Sequence, residues 1–204
     1  MENIDKLTTI ELAQYLLGKK IIVYHEDIIV SCYIVETEAY LGVIDQACHT
    51  YEGRRTPKVE AMYQEAGTIY IYSMHGHYML NIVSRDSLHP EAVLIRAVEP
   101  AEGVDYMRLQ RNKELSDLTN GPGKLTRAMG INASFNRQIL NSNQIIIDLK
   151  NSRIPKKIIT TARIGIPNKG EWTDAPLRFY VDGNPFVSKT LKKSHCHSCD
   201  SWTK

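Results

Sequence analysis

The sequence has no run approaching the roughly 18 apolar residues that a membrane-spanning helix needs. It also has no internal repeat, no low-complexity tract and no obvious linker. Its opening, MENIDKLTT, is too polar for a signal peptide, so a cytoplasmic protein without a membrane partner is expected. Cysteine is scarce: Cys32, Cys48, Cys196 and Cys199 are the only four in 204 residues. Cys32 sits in an apolar strand pattern and reads as a small core residue. The His195-Cys196-His197-Ser198-Cys199 run offers soft metal ligands, but no second CxxC or HxxxH pair completes a structural zinc site. We therefore expect no metal, and a flexible C-terminal tail over residues 191–204. A GxxxxGK segment followed by Ser or Thr is missing, which argues against P-loop nucleotide chemistry.

What is present is ordinary in bulk and uneven in distribution. The apolar fraction of 43% and charged fraction of 24% suit a globular chain of one domain. Net charge is only +2, yet residues 1–53 hold nine acids and three bases, leaving +8 on the remainder. Residues 150–169 carry Lys150, Arg153, Lys156, Lys157, Arg163 and Lys169 with no acid. Such a run is either a solvated face or a rim that contacts phosphates.

Local patterns predict an α+β fold. Thr8-x-x-Glu11 is a capping box, and Leu12, Leu16 and Leu17 give one apolar face to a helix that Gly18 ends. Lys20–Tyr24 and Ile28–Glu36 read as a hairpin about His25-Glu26-Asp27. Thr56-Pro57 reads as the start of a helix that Gly67 stops. Strands are expected at Thr68–Met74, His77–Val83, Glu91–Glu99, Gln144–Leu149, Ile158–Ile164 and Leu177–Val181. A further helix runs from Asn120-Gly121-Pro122 to Gly130. The alternation of a doubly wound fold is absent. The expectation is one compact domain, residues 1–190, with a curved, mainly antiparallel sheet flanked by helices.

Three segments carry chemistry. In Val35-Glu36-Thr37-Glu38-Ala39-Tyr40, Glu38 falls at or just beyond a strand end, sharing a face with Glu36. Asp45, His49 and Tyr51 follow closely. The segment is either an exposed acidic loop or a general base for water. In Tyr70-Ile71-Tyr72-Ser73-Met74-His75-Gly76-His77, Tyr70, Tyr72 and Met74 share one strand face. They suit base stacking, sheet core or, through the two histidines, a metal site. Asn120-Gly121-Pro122-Gly123-Lys124 is an ordinary helix start that also frees N–H groups toward an anion.

Taken in order, LLGKKIIV, VETEAYLG, DQACHTYEGRRTP, GTIYIY, VLIRAVEP, NGPGKLTRAMGI, TARIGI and GEWTDAPLRFYV resemble the alkyladenine (3-methyladenine) DNA glycosylase family over about Leu16 to Val187. The resemblance implies Glu38 as the catalytic base and Arg96 as a holder of the attacking water. It implies Tyr40, His49 and Tyr72 as walls around an extruded base. Asn81 excludes the guanine amino group, and Ile164 lies near the pocket. Lys124, Arg163 and Lys169 are expected on the DNA backbone. Where relatives often carry a wedging Tyr, this sequence has His75, and the stretch from His75 to Asn81 is one residue shorter. The expected activity is hydrolysis of the N-glycosidic bond of alkylated or deaminated purines in duplex DNA, by a monomer without cofactor or lyase step. The alternatives are a non-catalytic module for distorted DNA and a hydrolase of free nucleosides.

Overall fold

The computed structural model describes residues 4–141, 144–189 and 201–203. The first helix, α1 (Thr9–Tyr15), starts as the capping box requires. The Glu11 N–H donates to Thr8 Oγ1, and Glu11 Oε2 accepts from the Thr8 N–H at 2.8 Å. Two strands follow, β1 (Lys20–Tyr24) and β2 (Ile29–Tyr40), then β3 (Ile69–Met74), β4 (His77–Val83) and β5 (Ala92–Glu102). Helices α2 (Val104–Arg111) and α3 (Pro122–Ala128) precede three short strands, β6 (Ile145–Asp148), β7 (Ile158–Thr161) and β8 (Arg178–Val181). All pairings are antiparallel, in the order β3-β4-β5-β2-β1-β6. The long β2 changes partner along its length. Its first half pairs with β1, its second half with β8, and β8 pairs with β7. That exchange curls the sheet into a half-barrel, a single α+β domain. None of the described helices is long and apolar enough to cross a membrane.

Alternation along the strands gives the sheet two different faces. Ile69, Ile71, Leu80, Ile82, Val93 and Ile95 face the helices and join Leu12, Met107 and Leu125 in the main core. The opposite face carries Tyr70, Val83 and Ala92, packed with Cys48, Val59 and Met62 in a smaller cluster. Helix α3 lies close on β4, and Gly123 permits it: a Cβ there would come 2.6 Å from the Cβ of His77.

Three expectations need correcting. The segment from Thr56 to Gly67 forms only a 3-10 turn at Glu60–Tyr63, not a full helix. Val59, Ala61 and Met62 are buried along it. Strand β2 runs on to Tyr40, so Glu38 lies inside a strand, held by β5 on one side and β8 on the other. At the C-terminus, Ser201 and Trp202 are buried, with Trp202 Nε1 donating to Glu99 at 3.1 Å. These residues therefore pack onto the body; His195–Cys199 lie outside the described residues.

Candidate active site

A single row of register partners builds the site. Tyr70 pairs with Asn81, Asn81 with Leu94, Leu94 with Glu38, Glu38 with Arg178 and Arg178 with Thr161. Residues opposite one another in antiparallel strands share a face. The row therefore sets tyrosine, amide, aliphatic, carboxylate and guanidinium groups side by side. Beside it, two compensating bulges interrupt β2 and β5. Glu36 pairs with Ala97 and Thr37 with Ile95, so Arg96 has no register partner. Val35 is skipped on the other strand, between Ile34 and Glu36. Bulges of this kind re-aim side chains and add local twist. Here both Glu36 and Glu38 contact the one arginine.

Glu38 is fully buried, which removes the exposed-loop reading. Its Oε2 accepts from the Tyr40 hydroxyl at 2.9 Å, and its Oε1 accepts from the Ile164 N–H at 2.8 Å. Arg96 Nη1 stands 3.3 Å from Oε1. Burial pushes the Glu38 carboxyl above the usual range, against the pull of Arg96, the Ile164 N–H and the Tyr40 hydroxyl; Glu36 adds to the rise. Arg96 continues to Glu36 at 3.2 Å, and Arg178 Nε donates to the same Glu36 oxygen at 2.7 Å. The Ser188 N–H and hydroxyl complete Glu36 at 2.7 and 2.9 Å. Two carboxylates and two guanidiniums thus balance inside the sheet. For Arg96, burial opposes the charge, but Glu38 and Glu36 outweigh it and raise its pKa. Removing one member of such a buried network leaves an uncompensated charge and costs about 3–5 kcal/mol.

In front of this network lies a half-enclosed cavity of about 150 Å³. Its walls are Tyr40, His49, Tyr70 and Tyr72, with Met74 at the mouth and Asn81 within. Glu38 is not on the cavity surface; its partners Tyr40, Arg96 and Ile164 all are, so the carboxylate sits one hydrogen bond behind the wall. His49 meets Tyr72 edge-on, with ring centres 4.6 Å apart, and its Nδ1 lies 2.8 Å from the Tyr70 hydroxyl. Burial, together with the charge of Arg54, pulls His49 below its usual pKa. Burial, helped by Glu38, pushes Tyr72 up to about 12 and Tyr40 well above its ordinary value. The rings are therefore neutral near pH 7, and the electrostatics of the wall come from their π-faces. Asn81 Nδ2 donates to the Tyr70 and Met79 carbonyls at 3.1 and 3.2 Å, which fixes its amide orientation.

The expected site residues separate into those gathered here and those elsewhere. Glu38, Arg96, Tyr40, His49, Tyr72, Asn81 and Ile164 converge on the cavity or directly behind it. His75 does not line it. It occupies the exposed turn of the β3-β4 hairpin, where it and Gly76 both have positive φ, 50° and 76°. Lys124 is half-exposed and already held by Asp117 at 2.5 Å and Asn120 at 2.8 Å. Lys169 is exposed on the loop that follows cavity-lining Ile166. Arg163 is a correction. Its side chain has no exposure and forms a two-pronged ion pair with the equally buried Asp45, so it cannot reach a phosphate from this position. Arg178 and Ser188 were missed. Arg178 joins the site through the register of β8 on β2 and Ser188 through the segment that follows β8, and a single sequence displays neither. Among the described residues no group of three or more His, Cys, Asp or Glu is placed to hold a metal ion.

The site thus sets a shielded carboxylate behind an aromatic cavity. Residues 3–185 match the family model described as methylpurine-DNA glycosylase. A protein of Staphylococcus saprophyticus is 51% identical over 187 residues, 91% of each chain. One from Staphylococcus haemolyticus is 48% identical over 204 residues, 100% of both chains. One from Lactiplantibacillus plantarum is 46% identical over 195 residues, 96% of this chain and 93% of the other. All three relatives are provisionally named 3-methyladenine DNA glycosylases. The chain belongs to the methylpurine-DNA glycosylase family and is a DNA glycosylase.

Proposed function

We propose that this enzyme removes 3-methyladenine from duplex DNA, together with 7-methylguanine, hypoxanthine and ethenoadenine. The damaged nucleotide is turned out of the helix into the cavity. The names of the relatives support the first of these substrates. The observation that carries the reading is the position of Glu38, whose two oxygens are held by Tyr40, Ile164 and Arg96 at the back of an aromatic cavity. A base inside a duplex is out of reach, and extrusion costs least for damaged or poorly paired bases. Neutral tyrosine and histidine rings attract a cationic methylated purine through their π-faces. Asn81, its amide fixed by two backbone carbonyls, limits what fits beside the purine edge.

The attacking water enters between Arg96 and Ile164, both on the cavity surface and both in contact with Glu38. Glu38 takes its proton and offsets the positive charge that builds on the sugar as the glycosidic bond breaks. No lysine lines the cavity among the described residues, so no Schiff base follows and the product is an intact strand with an abasic site. One chain supplies every group named, so a monomer suffices. Lys169 lies on a loop able to meet a phosphate next to the lesion. The test is a panel of duplexes, each with one lesion, assayed for free base and for strand continuity before and after alkali. Free base with alkali-labile, otherwise intact strands is expected; binding without any base release rules out the reading.

A further inference from the structure

Arg163 and Asp45 take no place in the proposed chemistry, yet their pair is the most enclosed ion pair around the site. Both side chains are fully buried, with Arg163 Nη2 2.9 Å from Asp45 Oδ1 and Nη1 on Oδ2. Three chain segments meet on this pair. Arg163 Nη1 donates to the Ala39 carbonyl at 3.0 Å, at the end of β2, and the guanidinium lies 4.7 Å from the centre of the Tyr40 ring. Asp45 accepts from the Leu41 and Ala47 N–H groups at 3.1 and 2.9 Å, and so fixes the loop that leads to His49. Arg163 itself precedes Ile164, whose N–H holds Glu38 Oε1. Its Nε–H is buried with no partner among the described residues. Leaving a buried donor unpaired costs free energy, so this arginine is not placed for stability alone. Two of the three groups that grip Glu38, the Tyr40 hydroxyl and the Ile164 N–H, thus hang on one ion pair.

We propose that Asp45 and Arg163 are positioning residues for Glu38. By locking Tyr40 and the Ile164 amide together, they set the orientation of the carboxylate. This inference rests on Glu38 being the base. Loosening either grip costs rate through misplacement, and shifts of about 1 Å are enough for roughly 10²-fold. It also removes hydrogen bonds that favour the charged carboxylate, so Glu38 titrates at higher pH.

The test uses the full chain and a duplex with one lesion that the wild type excises. Single-turnover rate, active fraction and pH dependence are measured for Asp45→Asn and for Arg163→Lys, which keeps the charge but loses the fork. Affinity is measured with duplex containing an abasic site. The expected result is a rate constant reduced about 10²-fold at saturation, with affinity within about 3-fold of wild type and an acidic limb displaced to higher pH. Tyr40→Phe, which leaves the ion pair intact and removes only the hydroxyl grip, displaces the limb the same way and covers the case in which the other variants fold poorly. A lowered active fraction with unchanged rate constant and unchanged limb overturns the proposal, as does an unmoved limb in Tyr40→Phe. Base release by Glu38→Gln at the wild-type rate defeats the Glu38 reading itself; wild-type behaviour in all three variants defeats only the positioning role.

Discussion

Glu38 carries a cost that can be read in two ways. Burial denies it solvation, and Arg96, Tyr40 and Ile164 return only part of what is lost, so its carboxyl holds its proton to higher pH than an exposed glutamate. The base form therefore disappears earlier as pH falls. The acidic limb of the single-turnover rate is expected above the ordinary glutamate value of about 4.3, and a limb at or below that value contradicts the burial argument. Stability follows with the opposite sense to a paired surface carboxylate. Above the unfolded value the unfolded chain releases this proton while the folded chain still holds it, so the wild type loses stability as pH rises toward the folded pKa. Glu38→Gln has no such loss. Its melting temperature relative to wild type is expected to rise between pH 4 and pH 7, measured by thermal scans of both proteins. At this scale the sequence marks Glu38 and Tyr40 in one short motif and Tyr72 in another, and the fold gathers all three at or behind the cavity. Arg163 was not: its formal charge says nothing about burial, and its partner Asp45 is 118 positions away.

Among the elements, the β3-β4 hairpin was anticipated almost to the residue, because alternation and the His75-Gly76 turn sit in one short stretch. A two-residue turn with positive φ at both positions keeps the strands twisted together and carries the tip outward. The family resemblance, with His75 where relatives often carry a wedging Tyr, makes this tip the expected point of entry into the duplex. His75→Ala is therefore expected to weaken binding to damaged duplex more than it slows excision from a single strand, where nothing has to be displaced. Equal effects on the two substrates argue against an intruding tip. Met74, the next residue toward β3, is 46% exposed and lines the cavity. Other elements were hidden for physical reasons. Helix α2 is short, buries Met107 fully with only Val104 and Tyr106 partly covered beside it, and leaves Leu109 84% exposed, so its apolar face is narrow and easily missed. The bulges that free Arg96 from its ladder depend on how β2 and β5 register, which is a property of two strands rather than of either alone.

Across the whole molecule, the uneven charge of the sequence dissolves partly into the interior. Three of the acids in residues 1–53, Glu36, Glu38 and Asp45, are buried and meet arginines from β5, β8 and the loop after β7. Of the basic run 150–169, Arg163 is inside, and Arg153 pairs with Glu99 beneath the rings of Tyr33 and Trp202. The arginines that looked like a phosphate rim instead tie the half-barrel together, while Lys169 stays exposed on the surface. The overall class was legible from composition and strand patterns; which charges face inward was not.

The assembly has one centre, a buried glutamate behind aromatic rings that meet edge-on or tilted. Its most direct trial compares Glu38→Gln with wild type on one lesion-bearing duplex, measuring affinity and single-turnover base release from the same preparations. Affinity within a few-fold of wild type and base release slowed by about 10²–10⁴-fold is the expected outcome. Release at the wild-type rate would show that another group activates the water.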